Sequence, residues 1–214
     1  WDIIENNPCY KIKRLKEEYS IANRPATKEE IIRIKSYLQK KHLGFYRYIV
    51  TIYHTGIRPV ELTRLRVGMV DLQNQTITMP ASITKGRKKQ RVVPINQHLL
   101  KEYKEMNISG SKDEDYLFGR IPCTPTNRER IDFLPSSGML KRDTAGRYWN
   151  QLVKKDLNID VNLYAMKHTG ANAKILAGID LEALAELYGH QSELMTKRYA
   201  TVIKEVNRRL LLFH

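Results

Sequence analysis

The chain has 214 residues, enough for one large domain with its own core, and 42% of them are hydrophobic, close to the globular norm. Thirty-seven Lys and Arg stand against 23 Asp and Glu, a formal net charge of +14. A surplus of that size favours an extended polyanion as partner, because each phosphate neutralised releases a condensed counterion. Charge alone does not separate DNA from RNA or an anionic membrane, and solvated lysine faces on ordinary helices give the same total. Cys9 and Cys123 are far apart and outside any metal-binding spacing, so they point to no disulfide framework and no zinc site, and a reducing interior is expected. Trp1 to Glu5 lack the basic segment and apolar run of a secretory signal. The most apolar stretch, Phe45 to Ile57, is interrupted by Arg47 and His54, so no membrane span is expected. A start at Trp1 rather than Met suggests a piece of a longer protein.

Residues 1–25 are polar and charged, with Pro8 and Pro25 as punctuation, and read as a linker or arm. Thr27-Lys28-Glu29-Glu30 is a capping-box pattern ahead of Ile31, Ile34 and Leu38 at helical spacing. A second helix is predicted over Leu43 to Thr55 with Gly56 as its stop, and Pro59 suits the first turn of a short helix through Leu65. Beyond Gly68 the texture changes. Val70 to Leu72, Thr76 to Met79 and Arg91 to Ile95 read as short strands of a small antiparallel sheet. Between the last two lies a hairpin loop, Thr84 to Arg91, loaded with positive charge. Asn96 is placed to cap a helix from Gln97 to Met106, and the Pro-, Gly- and Ser-rich region from Asn107 to Leu140 reads mainly as loop. Asp143 is expected to cap a helix to about Leu157, Leu163 to Ala177 to form another, Asp180 to cap a third, and Ser192 a fourth that carries Tyr199. Apolar residues recur at helical spacing in the tail, Val202 to Phe213.

Several residues stand where chemistry is done. Arg58 lies just past one helix and at the start of the next, where a guanidinium can project beside backbone N–H groups, a good arrangement for phosphate. Glu61, one turn later, can hold that guanidinium; taken alone, the two are equally an ordinary i,i+3 ion pair. Lys85, beside Gly86 on the hairpin, is free to reach into a groove as a proton donor. Arg87, Lys88, Lys89 and Arg91 are read as phosphate anchors. His190 directly follows a helix-ending glycine, and Tyr199 follows nine residues later. Each of these two alone is an unremarkable capping or core residue.

In combination they resemble a known family. Thr55-Gly56-Ile57-Arg58-Pro59-Val60-Glu61-Leu62, the Lys85-Gly86 hairpin, Gly189-His190 and Tyr199 stand in the order and spacing of the tyrosine recombinases, the phage integrase family, over residue 25 to the end. The resemblance implies a mainly helical α+β catalytic domain, residues 26–214, with a three-stranded antiparallel sheet on one edge. Residues 1–25 would join it to an N-terminal core-binding domain outside this sequence. It implies metal-free transesterification with no cofactor: Tyr199 attacks a DNA phosphodiester, Arg58 clamps it, Lys85 protonates the departing 5′-oxygen, and His190 donates a hydrogen bond or manages the nucleophile's proton. Tyr164 and Lys167 stand where the family has His-x-x-Arg. Tyr164 retains a donor, whereas Lys167 replaces a rigid fork with a point charge. The implied partner is double-stranded DNA, bound by a homo-tetramer on paired sites, with no membrane as partner; the implied setting is the nucleoid of a bacterial cytoplasm, and a mobile element the source. Two other readings stay open: a catalytically weakened relative serving as a DNA-binding accessory protein, and a type IB topoisomerase-like relaxing enzyme.

Overall fold

A computed structural model of the chain describes residues 24–84, 86, 89–122 and 130–188. The expectations for residues 1–23, for Lys85, Arg87 and Lys88, and for Gly189 onward, including His190, the Ser192 cap, Tyr199 and the tail, fall outside the described residues. In chain order the elements are α1 (Lys28–Lys41), α2 (Leu43–Thr55), α3 (Pro59–Leu62), β1 (Val70–Asp71), β2 (Thr76–Met79), β3 (Arg91–Pro94), α4 (Gln97–Glu105), β4 (Gly119–Arg120), β5 (Gly138–Met139), α5 (Thr144–Trp149), α6 (Ala165–Leu176) and α7 (Leu181–Tyr188). The fold is mainly helical α+β, as the sequence reading expects.

Helix ends follow local chemistry. Thr27 Oγ1 accepts the Glu30 N–H at 3.2 Å while the Glu30 carboxylate accepts the Thr27 N–H at 2.8 Å, a reciprocal box that starts α1. Gly56 takes φ 66° to end α2, and Asn96 caps α4 by accepting the Leu99 N–H at 3.0 Å. Asp180 accepts from the Glu182 and Ala183 N–H groups at the start of α7.

α2 is the centre of the fold. Phe45, Tyr48, Ile49 and Ile52 on it are fully buried, and α1, α4 and α6 pack around it. Towards α4, Arg47 is buried and paired with Glu102 at 3.0 Å. Towards α6 the helices touch backbone to backbone: a Cβ built on Gly170 would lie 1.9 Å from the Tyr53 carbonyl oxygen. Gly170→Ala must therefore separate the two helices, and it should cost about 3 kcal/mol. Urea unfolding checks this, and an unchanged midpoint would mean the crossing adapts freely.

The sheet is antiparallel in the order β1-β2-β3, with Val70 opposite Ile77 and Ile77 opposite Val93. Ile77, Met79 and Val93 face the core, whereas Val92 is exposed, the alternation of a sheet covered on one side. β1 stops at Asp71, short of Leu72, because the Asp71 carboxylate accepts the N–H groups of Gln73 and Asn74 and turns the chain.

Four local expectations differ from the structure. α3 ends at Leu62 rather than Leu65, and the chain turns there, with Leu65 N–H reaching the Leu62 carbonyl at 3.3 Å. Asp143 does not cap α5 with its side chain; the carboxylate pairs instead with Arg147 at 3.2 Å. The helix it precedes changes pitch, since Asn150–Lys155 is a π turn in which the Asp156 N–H reaches Gln151 O, five residues back. The loop-rich region also holds a two-stranded ladder, with Gly119 opposite Met139 and Arg120 opposite Gly138.

Candidate active site

Arg58 sits at the sharp junction between α2 and α3. The left-handed Gly56 makes that turn, and Arg58 adopts extended backbone as the residue before α3. Both oxygens of Glu61 serve this residue: Oε1 accepts from Arg58 Nη1 at 2.9 Å and Oε2 from the Arg58 backbone N–H at 3.0 Å. The pair is no surface ornament, because the Glu61 side chain is 1% exposed and that of Arg58 13%. A carboxylate enclosed to that degree fixes the guanidinium it holds.

Lys167 lies on the first turn of α6 and is also buried, 1% exposed. Its Nζ is 4.9 Å from the centre of the Tyr188 ring, a cation–π approach, and the Tyr188 hydroxyl donates to the Lys167 carbonyl at 3.3 Å. The ring also meets the α2–α3 junction: a Cβ on Gly56 would be 2.6 Å from a Tyr188 ring carbon. Tyr188 thus joins the segment of Arg58 to that of Lys167, at the end of a helix followed directly by Gly189-His190. Tyr164, the residue before α6, is half-buried and stacks edge-on with His168 at 5.1 Å.

The basic group of the hairpin divides. Lys89 is exposed, as a phosphate anchor requires. Arg91 is placed differently, with its guanidinium engaged by the protein: Nη1 donates to the Tyr188 carbonyl at 3.0 Å and Nη2 approaches Glu61 Oε2 at 3.4 Å. Burial pulls its pKa below the ordinary guanidinium value, Arg58 acts in the same sense, and Glu61 opposes both.

Sequence reasoning missed three further features. Tyr188 was visible only as the residue before Gly189-His190. A cleft of about 270 Å³ lies along α3, with Val60, Glu61, Arg64, Ile83, Thr84 and Arg142 among the residues that line it. Among the described residues neither Arg64 nor Arg142 has an acidic partner. Behind the site, Lys35 lies 3.9 Å over the Tyr53 ring, and Lys174 donates to the Tyr53 carbonyl at 3.3 Å. Burial and then Lys35 lower Lys174 to about 8; burial, Lys35, Lys174 and His98 push His54 down to about 3.

The His54 shift has a definite sign. Between pH 6.5 and 3 the unfolded chain protonates His54 and the folded chain does not, so stability falls as pH falls through that window. His54→Gln should lose up to one proton's worth of that slope, about 1.4 kcal/mol per pH unit. Urea unfolding at pH 7 and 4.5 measures it, and identical slopes would refute it.

Residues 11–205 match the model of the phage integrase family. The chain belongs to that family. Among relatives of this phage integrase family member, the tyrosine recombinase XerA of Pyrococcus furiosus is 27% identical over 176 residues, covering 82% of this chain and 56% of that protein. The tyrosine recombinase XerC of Bacillus subtilis is 24% identical over 222 residues, 99% of this chain and 67% of that one. The chain spans 56–58% of the length of the three archaeal XerA relatives it matches. In fold, this integrase-family chain matches the crystal structure of XerA recombinase with a TM-score of 0.67 at 22% identity, over 90% of this chain and 65% of that one. The Tn1549 transposon integrase, solved in complex with transposon right end DNA, gives a TM-score of 0.67 at 20% identity, over 96% and 72%. No helix among the described residues of this integrase-family chain is long and apolar enough to cross a membrane.

Proposed function

We propose that residues 26–214 form the catalytic domain of a site-specific recombinase that cuts and rejoins double-stranded DNA through Tyr199, with residues 1–25 as the arm leading into it. The phenol oxygen of Tyr199 bonds to a backbone phosphorus, the bond to the 5′-oxygen breaks, and a 3′-phosphotyrosyl link remains. A phenol with its ordinary pKa of about 10 is a poor nucleophile at neutral pH, so the phosphate must be made electrophilic by cations around it. Arg58 and Lys167 supply two of them; Lys85 gives the departing 5′-oxygen its proton, and His190 takes up the phenol proton. Tyr164 adds a hydrogen-bond donor. Religation runs the same steps backwards, with the bond energy kept in the phosphotyrosine, so neither metal nor ATP enters the scheme.

One observation carries this reading. Gly56, two residues before the largely enclosed Arg58, and the buried Lys167, over a hundred residues further on, both meet the Tyr188 ring, and the chain leaving Tyr188 is the one that carries His190 and Tyr199. Arg64 and Arg142 in the neighbouring cleft, together with the hairpin residues Arg87, Lys88 and Lys89, supply charge for the flanking phosphates. Full-length copies would act as a homo-tetramer on two paired sites. The relatives come from archaea as well as bacteria, so the proposed setting is a prokaryotic nucleoid rather than a bacterial one alone.

The test starts from duplexes that the chain itself selects from a randomised DNA pool, then nicked close to the cleavage position so that religation is blocked. A covalent protein–DNA adduct whose peptide maps to Tyr199 is expected. Specific binding without any adduct would favour the second reading, a weakened relative serving as a DNA-binding accessory protein, for which the lysine at position 167 speaks. Unspecific relaxation of supercoiled DNA would favour the topoisomerase-like alternative.

A further inference from the structure

Arg91 touches more of the site than any phosphate anchor needs to. It opens β3, six residues after Lys85 on the far side of the hairpin. Its side chain is 10% exposed, and its two terminal nitrogens divide their work: Nη1 donates to the Tyr188 carbonyl at 3.0 Å, Nη2 lies 3.4 Å from Glu61 Oε2. Met79 Sδ stands 3.2 Å from the same Nη2. The Tyr188 carbonyl belongs to the last residue of α7, where a helix leaves its carbonyls without intrahelical partners and carries partial negative charge. The arrangement persists although Arg91 Nε is buried without a hydrogen-bond partner among the described residues.

We infer that Arg91 is a positioning residue of the transesterification site, tying the carboxylate that holds Arg58 to the carbonyl from which the Gly189-His190 segment departs. The inference rests on the recombinase reading above and deepens it. Three stretches have to keep register: the α2–α3 junction with Arg58, the hairpin with Lys85, and the end of α7 before His190. Arg91 is anchored in the second by the chain and grips the first and third with separate nitrogens. A forked cation suits this task, because its separate nitrogens reach partners on two sides, whereas the three donors of a lysine all radiate from one nitrogen. Strand parity supports the inward role: Arg91 shares a face of β3 with the fully buried Val93, while Val92 between them is 53% exposed.

The experiment uses the whole chain and the selected nicked duplex described above. Arg91→Ala should bind that duplex within about threefold of wild type with an unchanged salt slope, and form the covalent adduct about 100-fold more slowly at saturating DNA. Arg91→Lys should recover about tenfold of that loss, since one of the two contacts returns. Low-millimolar guanidinium should speed Arg91→Ala and leave wild type unchanged. The inference is overturned if Arg91→Ala lowers the salt slope by about 0.9, as for one lost phosphate contact, while each bound complex still cleaves at the wild-type rate. If Arg91→Ala does not fold, Arg91→Lys carries the same comparison. If wild type forms no adduct, it is the recombinase reading that fails. Hydrogen exchange then decides the positioning role: faster exchange of the amides of residues 186–190 in Arg91→Lys, with α2 unchanged, upholds it, and an unchanged profile overturns it.

Discussion

Replacing Glu61 by alanine should be among the most damaging single changes in the described part of the chain, with a loss of about 3–5 kcal/mol. Glu61 is 1% exposed and stands between two guanidinium groups that are themselves nearly enclosed, Arg58 at 13% and Arg91 at 10%. With the carboxylate present, the trio carries one net positive charge; without it, two cations face each other in a poorly solvated space. The Arg58 backbone N–H also loses its acceptor, so the start of α3 is left uncapped. For a chain of this size each kcal/mol corresponds to roughly 2–4 °C in Tm, so a fall of about 10 °C is expected in a thermal melt. Glu61→Gln keeps the shape and one acceptor but not the charge, and should lie between alanine and wild type. A Glu61→Ala protein within 1 kcal/mol of wild type would mean that solvent, not this carboxylate, balances the two arginines.

Helix ends were legible where one residue decides them. The side chains of Thr27, Asn96 and Asp180 each accept from backbone groups within three residues, and Gly56 ends α2 by its own left-handed backbone, so a sequence shows these stops directly. The same reasoning fails for Asp143, because an exposed arginine one turn on, Arg147, competes for the carboxylate. β4 and β5 are two residues each and pair across about twenty residues of intervening chain, too short for any alternation to show. The π turn at Asn150–Lys155 inserts one extra residue into a helical period that otherwise reads as continuous.

Within the site, the Arg58–Glu61 pair was legible because both partners lie on one helical turn. Its burial was not, since that depends on β3 and α7 closing over it. Arg91 is the instructive case. Its neighbours in sequence are the loop cations, and by composition it belongs with them. Its parity on β3 places it with Val93 instead, and the structure follows parity. Tyr188 had no signal beyond its place before Gly189-His190; its ring matters through Gly56 and Lys167, both more than twenty residues away.

Lys167→Met should reduce covalent adduct formation by about 100-fold or more, with DNA affinity within severalfold of wild type. Methionine nearly matches lysine in length and removes the charge, so the fill around the buried position changes little while, on the proposed recombinase reading, the phosphate loses a cation. A parallel loss of binding and cleavage would instead make Lys167 a general DNA contact. Lys167→Arg asks the complementary question. A guanidinium offers two parallel donors to a phosphate, which argues for a gain of about tenfold in cleavage. The space argues the other way: Lys167 is 1% exposed, and the ring beside it is itself packed closely on Gly56, where a Cβ would come within 2.6 Å of its carbons. The larger head must then slide along the ring face rather than displace it, an approach that cation–π attraction favours. A faster Lys167→Arg enzyme identifies the natural chain as a recombinase slowed at one donor. A slower one shows that Tyr188 and Gly56 shape this position for an ammonium, so that lysine here is part of the site's design.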